Sequence, residues 1–219
     1  MLLLLIPQGG GTTGLDCANA VADAVYRLGL QNLAELQAGN AYVTEAELYQ
    51  WADEAAKRLS YDVGLFVVYD TSITVSPGTA VYQLPASHVF TLMAALAGQL
   101  LRPTAVGALW ALDANWPTTS GNARRCSMDA GSVGTITLYP NPISGGTLAQ
   151  FCQEFPAAIA PGASSAALPA VLQDYFTYKM LAGARGKESD HAMPEMAAHF
   201  EQRGELYEQV MAHLWGPGQ

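Results

Sequence analysis

At 219 residues and 23.2 kDa the chain is long enough for one ordinary domain or for a domain with a sizeable insertion. Half of its residues are hydrophobic and 13% are charged, about half the usual fraction, so part of its apolar surface is expected to lie between subunits. Ten Lys and Arg face 19 Asp and Glu, and the densest basic run is the pair Arg124-Arg125, which argues against tight binding of nucleic acid through a basic cluster.

Residues 1–6 are apolar, but no positive charge leads them and Pro7 with Gly9, Gly10 and Gly11 ends them. Residues 1–14 therefore read as a flexible N-terminal arm packing on a neighbour or on the core, not as a signal peptide or a membrane span. Cys17, Val21, Val25 and Leu28 recur at helical spacing and predict a helix over about 15–28, with Thr13 and Asp16 resembling a capping box and Gly29 as its stop. Thr44 and Glu47 form a stronger capping box for a helix over about 44–62, whose buried stripe is Leu48, Ala52, Ala55 and Leu59.

Between about 70 and 156 the pattern changes to short β-rich runs at 71–75, 79–84, 89–97, 124–129, 135–139 and 147–155, punctuated by glycine and proline. Ser76-Pro77-Gly78-Thr79 suits a type II turn, and a brief helix is expected around 105–113. Strands this close, with short turns, imply antiparallel pairing and a small β-domain inserted at 67–156. Helices then return. Pro169 opens one over about 169–184, lined by Val171, Leu172, Tyr175, Tyr178 and Ala182. The last, about 194–214, has a heptad-like seam of Met196, Phe200, Arg203, Tyr207, Val210 and Leu214, with Glu201, Glu205 and Glu208 on the opposite, polar face. The expected fold class is α+β: an antiparallel helical bundle, residues 15–66 and 157–215, carrying the small antiparallel β-insert.

The residue patterns point away from catalysis. The glycine-rich run at 9–14 lacks the lysine of a phosphate-binding loop, and no Gly-x-Ser-x-Gly elbow occurs. His88, His191, His199 and His213 have no ligand spacing and read as solvated helix residues, while Cys17, Cys126 and Cys152 read as free thiols in a reducing cytoplasm, Cys17 and Cys152 in the core. No catalytic, cofactor or metal site is expected. Trp215, at the end of the last helix with Met211 and Leu214, is the expected partner anchor.

Several short motifs follow one another in a recognisable order. They are Thr44-Glu45-Ala46-Glu47-Leu48 with Ala52-Asp53-Glu54-Ala55, then Tyr82-Gln83-Leu84-Pro85, a lone Trp116, Leu138-Tyr139-Pro140-Asn141-Pro142, Phe155-Pro156, and Leu168-Pro169 with Tyr175 and Tyr178. In this order the chain resembles, over about residues 15–210, the head-to-tail connector (adaptor) proteins of the tailed-phage neck. The resemblance implies a structural virion protein, assembled in the host cytoplasm, that forms a cyclic homo-oligomer of about twelve copies beneath the portal. Its neighbours would be the portal protein and a tail or second neck protein, with DNA passing through the lumen without specific binding and no membrane partner. About twelve copies at −9 each would carry roughly a hundred negative charges, a wall that repels the duplex and lets it slide. The competing readings are a tail or receptor-binding subunit, a cell-wall hydrolase with a dispersed carboxylate site, and a peptide binder working through a β-edge.

Overall fold

The computed structural model describes residues 16–30, 42–128, 130, 132–160, 170–187 and 192–215, with Trp215 in its backbone alone. The expected N-terminal arm, the Thr13 cap, Pro169 and His191 lie outside the described residues. The chain divides into two compact units, Met1–Gly64 with Pro156–Gln219, and Leu65–Phe155.

The first unit is helical. Helix α1 (Cys17–Arg27) begins at Asp16, whose carboxylate accepts from the Ala18 N–H at 3.0 Å, and it buries Cys17, Val21, Val25 and Leu28. Helix α2 (Glu45–Val63) opens with the full capping box: Glu47 N–H donates to Thr44 Oγ1, and Thr44 N–H donates to Glu47 Oε2. It ends at Gly64 in the left-handed region (φ 71°), which glycine adopts without a Cβ clash. A 3₁₀ turn (Ala170–Leu172) leads into the central helix, Gln173–Gly186, which packs against α1, α2 and the last helix, Pro194–Trp215. Because it has neighbours on several sides, the central helix buries residues around most of its circumference, among them Tyr175, Phe176, Thr177, Met180, Leu181 and Ala184.

The described residues of the second unit form nine strands and one helix: β1 (Val67–Val75), β2 (Val81–Gln83), β3 (His88–Leu96), β4 (Gln99–Pro103), α3 (Val106–Leu112), β5 (Ser120–Gly121), β6 (Arg125–Met128), β7 (Thr135–Tyr139), β8 (Asn141–Pro142) and β9 (Gly146–Glu154). With α3 placed, the central helix of the first unit is α4 and the last helix is α5. Seven strands form one sheet in the order β1-β9-β3-β4-β6-β7-β2, and β5 pairs with β8 separately. All neighbours in the large sheet are antiparallel except β4 and β6, which run parallel with Arg102 opposite Arg125. The inner face gathers Ile73, Val75, Ala94, Leu96, Leu101, Cys126, Ile136, Leu138 and Leu148 into one core.

These pairings overturn the expected fold class. The chain is not an antiparallel helical bundle with a small antiparallel insert: its described residues form five α-helices and a large, nearly closed mixed sheet of seven strands. Short connections imply antiparallel pairing, but residues 104–124 are long enough for a crossover, and a parallel pair needs a dozen residues or more. Strand β4 also escapes the residue pattern, because β3 turns into it through Ala97 and Gly98, both at positive φ (50° and 78°), a tight turn that usually advertises itself with Asn-Gly. The type II turn at Ser76–Thr79 does form, Thr79 N–H donating to the Ser76 carbonyl at 3.2 Å with Gly78 at φ 78°. It joins strands that do not pair with each other. They are the two edges of the sheet, drawn together by the Tyr82 hydroxyl, which accepts from Ser76 N–H and donates to the Thr79 carbonyl at 2.7 Å.

Two glycines separate packing from propensity. A Cβ on Gly183 of α4 would stand 2.5 Å from the Trp51 ring, whereas one on Gly107 of α3 would meet nothing within 4 Å. Urea denaturation of Gly183→Ala is expected to show a loss of about 1–3 kcal/mol despite the better helix former. Gly107→Ala should gain up to about 1 kcal/mol.

Candidate interaction surfaces

In the helical unit, the side of α5 that faces inward is set by charge. Lys179 on α4 has a side chain only 7% exposed, and its Nζ lies 2.7 Å from Glu201 Oε1 and 3.0 Å from Glu208 Oε1. Arg58 on α2 reaches the same two carboxylates at 3.0 and 3.2 Å, and the Tyr175 hydroxyl donates to Glu208 at 2.9 Å. Burial, reinforced by the charge of Glu208, pushes the Tyr175 hydroxyl far up, so it stays a donor. Burial alone would raise the Glu201 carboxyl, but the hydrogen bond and charge of Lys179, with Arg58, hold it below its ordinary value. Gly204 makes room for this, since a Cβ there would sit 2.7 Å from the Lys179 Cε.

The expected seam of α5 is therefore rotated. Phe200 and Tyr207 are half-buried, with rings 6.3 and 6.1 Å from that of Tyr178, but Met196, Arg203, Val210 and Leu214 face solvent and Glu201 and Glu208 face inward. A buried lysine must find carboxylates, and that requirement outweighs a more apolar seam. Of the expected anchor residues, Met211 is 4% exposed and belongs to the interior, Leu214 is 57% exposed, and Trp215 ends the helix. Met211 and Leu214 are thus not on a common surface. With Met196, Leu206 and Val210, Leu214 makes a sparse apolar stripe on the outward side of α5.

In the sheet unit the outer face is divided. The crossover after β4 covers β7: Leu109 of α3 and Trp116 pack on Tyr139, and Asp113 ties the loop down by accepting from Thr119 Oγ1 (2.6 Å), Asn115 N–H (2.8 Å) and the Tyr139 hydroxyl (3.1 Å). The hydrogen bonds from Thr119 and then Asn115 keep the Asp113 carboxyl below its usual range. Among the described residues, strands β1, β9, β3 and β4 have no such cover. Their outward positions form the rows Val67–Gln153–Phe90, Tyr69–Phe151–Met93 and Ala149–Ala95–Leu100, apolar except at Gln153, with the polar pair Thr74–Thr147 at one end. Tyr69 is 61% exposed, Phe90 55% and Leu100 60%, and the Tyr69 and Phe151 rings lie 5.0 Å apart. A half-solvated antiparallel face ordinarily alternates to polar residues, so a contiguous exposed patch of this make-up marks a contact surface.

Arginines border that patch. Leu101 points into the core, so Leu100 and Arg102 point out, and Arg102 stands in register with Arg125. Arg124 and Arg125 line a shallow hollow with Asn122, Tyr139 and Pro140. These three arginines are the whole basic complement of residues 65–155, which hold four carboxylates (Asp70, Asp113, Asp129, Glu154), a formal −1. The rest of the chain carries the other fifteen carboxylates and seven basic residues, a formal −8. Among the described residues no carboxylate pairs with Arg102, Arg124 or Arg125, nor with Arg185 or Arg203 of the helical unit, whereas Arg27, Lys57, Arg58, Lys179 and Lys187 each have one.

The remaining candidates for chemistry have structural surroundings. Burial pushes the Cys126 thiol up to about 11 and, with Glu154 nearby, the Cys152 thiol up to about 12, which leaves both protonated and poor nucleophiles. His88 is not a helix residue as expected: it starts β3 and bonds to Thr91 at 2.8 Å, while His199 and His213 are exposed on α5. Among the described residues no group of three or more His, Cys, Asp or Glu could hold a metal ion, and no helix is long and apolar enough to cross a membrane. The open sheet face was missed in the sequence, although the run Val89-Phe90-Thr91-Leu92-Met93-Ala94-Ala95-Leu96 signals a strand apolar on both sides.

Exposed apolar surfaces of this size are those of a chain that docks on other proteins. A family model described as SU10 adaptor protein matches residues 18–214. The chain belongs to that family, and it is accordingly a bacteriophage head-to-tail adaptor, a structural component of the virion that interacts with other phage head or tail proteins. No curated protein matches it.

The ion cluster under α5 gives a stability test. Lys179→Met leaves two carboxylates with Arg58 alone, and guanidinium denaturation should show a loss of about 2–4 kcal/mol, below the usual range for a broken buried pair because Glu201 is 39% exposed. Since the folded-state value of Glu201 is depressed, its stabilisation is complete above the ordinary carboxylate value of 4.5 and is lost as pH falls through the lower folded value. Melting temperature should drop over that acid range, and less steeply in Glu201→Gln.

Proposed function

We propose that the protein forms a ring of about twelve copies beneath the portal, extends the DNA channel and gives the tail or a second neck protein its platform. The observation that supports the reading most directly is the pair of unlike exposed apolar surfaces on one chain, the outer face of β1-β9-β3-β4 and the outward side of α5. A closed head-to-tail ring needs two different patches per subunit, and a self-complementary dimer needs one. Family membership supplies the setting, and the 13% charged fraction fits a subunit whose surface is largely covered. The end of α5, with Leu214 and Trp215, is assigned to the portal, while Met211 secures the helix from inside. The acidic balance gives the channel wall the sign of the duplex, which favours sliding over retention.

Electron-microscope class averages of the purified protein, alone and with its portal, test this directly. A twelvefold ring that attaches to the portal is expected; a stable monomer at high concentration without portal affinity, or a trimer, would overturn it. Leu214→Asp should leave the melting temperature unchanged, because the side chain is exposed, and weaken portal attachment about tenfold.

A further inference from the structure

We infer that the open outer face of β1-β9-β3-β4, with Arg102, Arg124 and Arg125 at its border, receives the acidic helical unit of a second copy of this chain. The inference rests on the ring proposed above and assigns one of its two contact surfaces. The face has the composition of a binding hot spot: an aromatic and aliphatic centre (Tyr69, Phe90, Met93, Phe151) with arginine at the rim. Covering it with a neutral apolar partner would bury three guanidinium groups near no described carboxylate, at a large desolvation cost. The occupant must therefore bring carboxylates, and the planar guanidinium pairs with them in a two-point fashion that lysine cannot match.

The chain itself supplies such a surface. Its acidic surplus is concentrated in the helical unit, at −8 against −1 for the sheet unit. Glu195 and Glu205 on α5 and Glu54 on α2 are exposed there with no cationic partner among the described residues. The exposed Leu206 and Val210 lie on the same helix as Glu195 and Glu205, so α5 offers apolar and acidic side chains together, with Arg203 its one exposed Lys or Arg, to an apolar face with a basic border. Phosphate is the other chemistry arginine would take, but three arginines on a chain of net −9 are opposed by its overall field, whereas an adjacent copy offers fixed carboxylates at high effective concentration.

The test uses full-length protein. Arg102→Glu with Arg125→Glu should keep the wild-type melting temperature, since neither arginine has an ion pair among the described residues, and lower the ring fraction at least about tenfold in native mass spectra. Arg102→Lys with Arg125→Lys keeps the charge and introduces amines for carbodiimide coupling. In a mixture of isotopically light and heavy chains, those amines should couple to carboxylates within residues 16–64 or 170–215 of a different copy. Undiminished rings in the charge-reversed variant, or coupling confined to one copy or to residues 65–155, would overturn the inference and leave the ring standing. Loss of portal attachment or of DNA retention, with rings intact, would reassign the arginines to portal or phosphate and overturn it equally. A wild-type chain that never forms rings removes the ring itself, and the inference with it.

Discussion

The parallel pairing of β4 with β6 is the constraint from which the rest of the sheet unit follows. Two parallel neighbours cannot be joined by a hairpin, so residues 104–124 must travel from the end of one strand to the start of the other. That path supplies α3 and the Trp116 loop, which lie on Tyr139 and close the outer side of β7. The same connection is used up on β7, and among the described residues the outer face of β1, β9 and β3 stays open. Register then brings Arg102 level with Arg125 at the boundary between the covered and uncovered halves. An apolar face and its basic border thus have a single topological cause.

The helical unit answers to a different constraint, the burial of Lys179. An ammonium group largely withdrawn from water must be paired, and α5 meets the requirement by turning Glu201 and Glu208 inward, with Gly204 between them making room for the lysine stem. The Met196, Val210 and Leu214 side chains are consequently left outside. The apolar stripe on the surface of α5 and the ion cluster beneath it are two sides of one rotation.

Much of the local structure could be read from residue order, because caps and periodicity act within a few residues. Thr44 with Glu47, the stripe Cys17–Val21–Val25–Leu28 and the Pro77-Gly78 turn all form as their chemistry dictates. What could not be read depends on partners distant in sequence. Strand β4 is short and its turn carries Ala97 where asparagine would have announced it. The phase of α5 depends on Lys179 and Arg58, 22 and 143 residues away from Glu201, and a helical wheel of α5 contains neither. The arginine border suffered most: Arg124-Arg125 is visible as a dipeptide, but Arg102 joins it only through the parallel register.

Charge placement also bears on symmetry. A two-fold contact through the sheet face would set Arg102 and Arg125 against their own counterparts, and one through the helical unit would oppose two surfaces of −8. Like-charge juxtaposition of either kind costs free energy at close range, and the cost rises as water is excluded. A head-to-tail contact between unlike units replaces both repulsions with one attraction, and repeating it either closes a ring or extends a filament. The division of charge between the two units therefore acts against the simplest dimer. Pairing the arginines between copies would also remove them from any free surface, so the ring left behind would be more uniformly acidic than a single copy is.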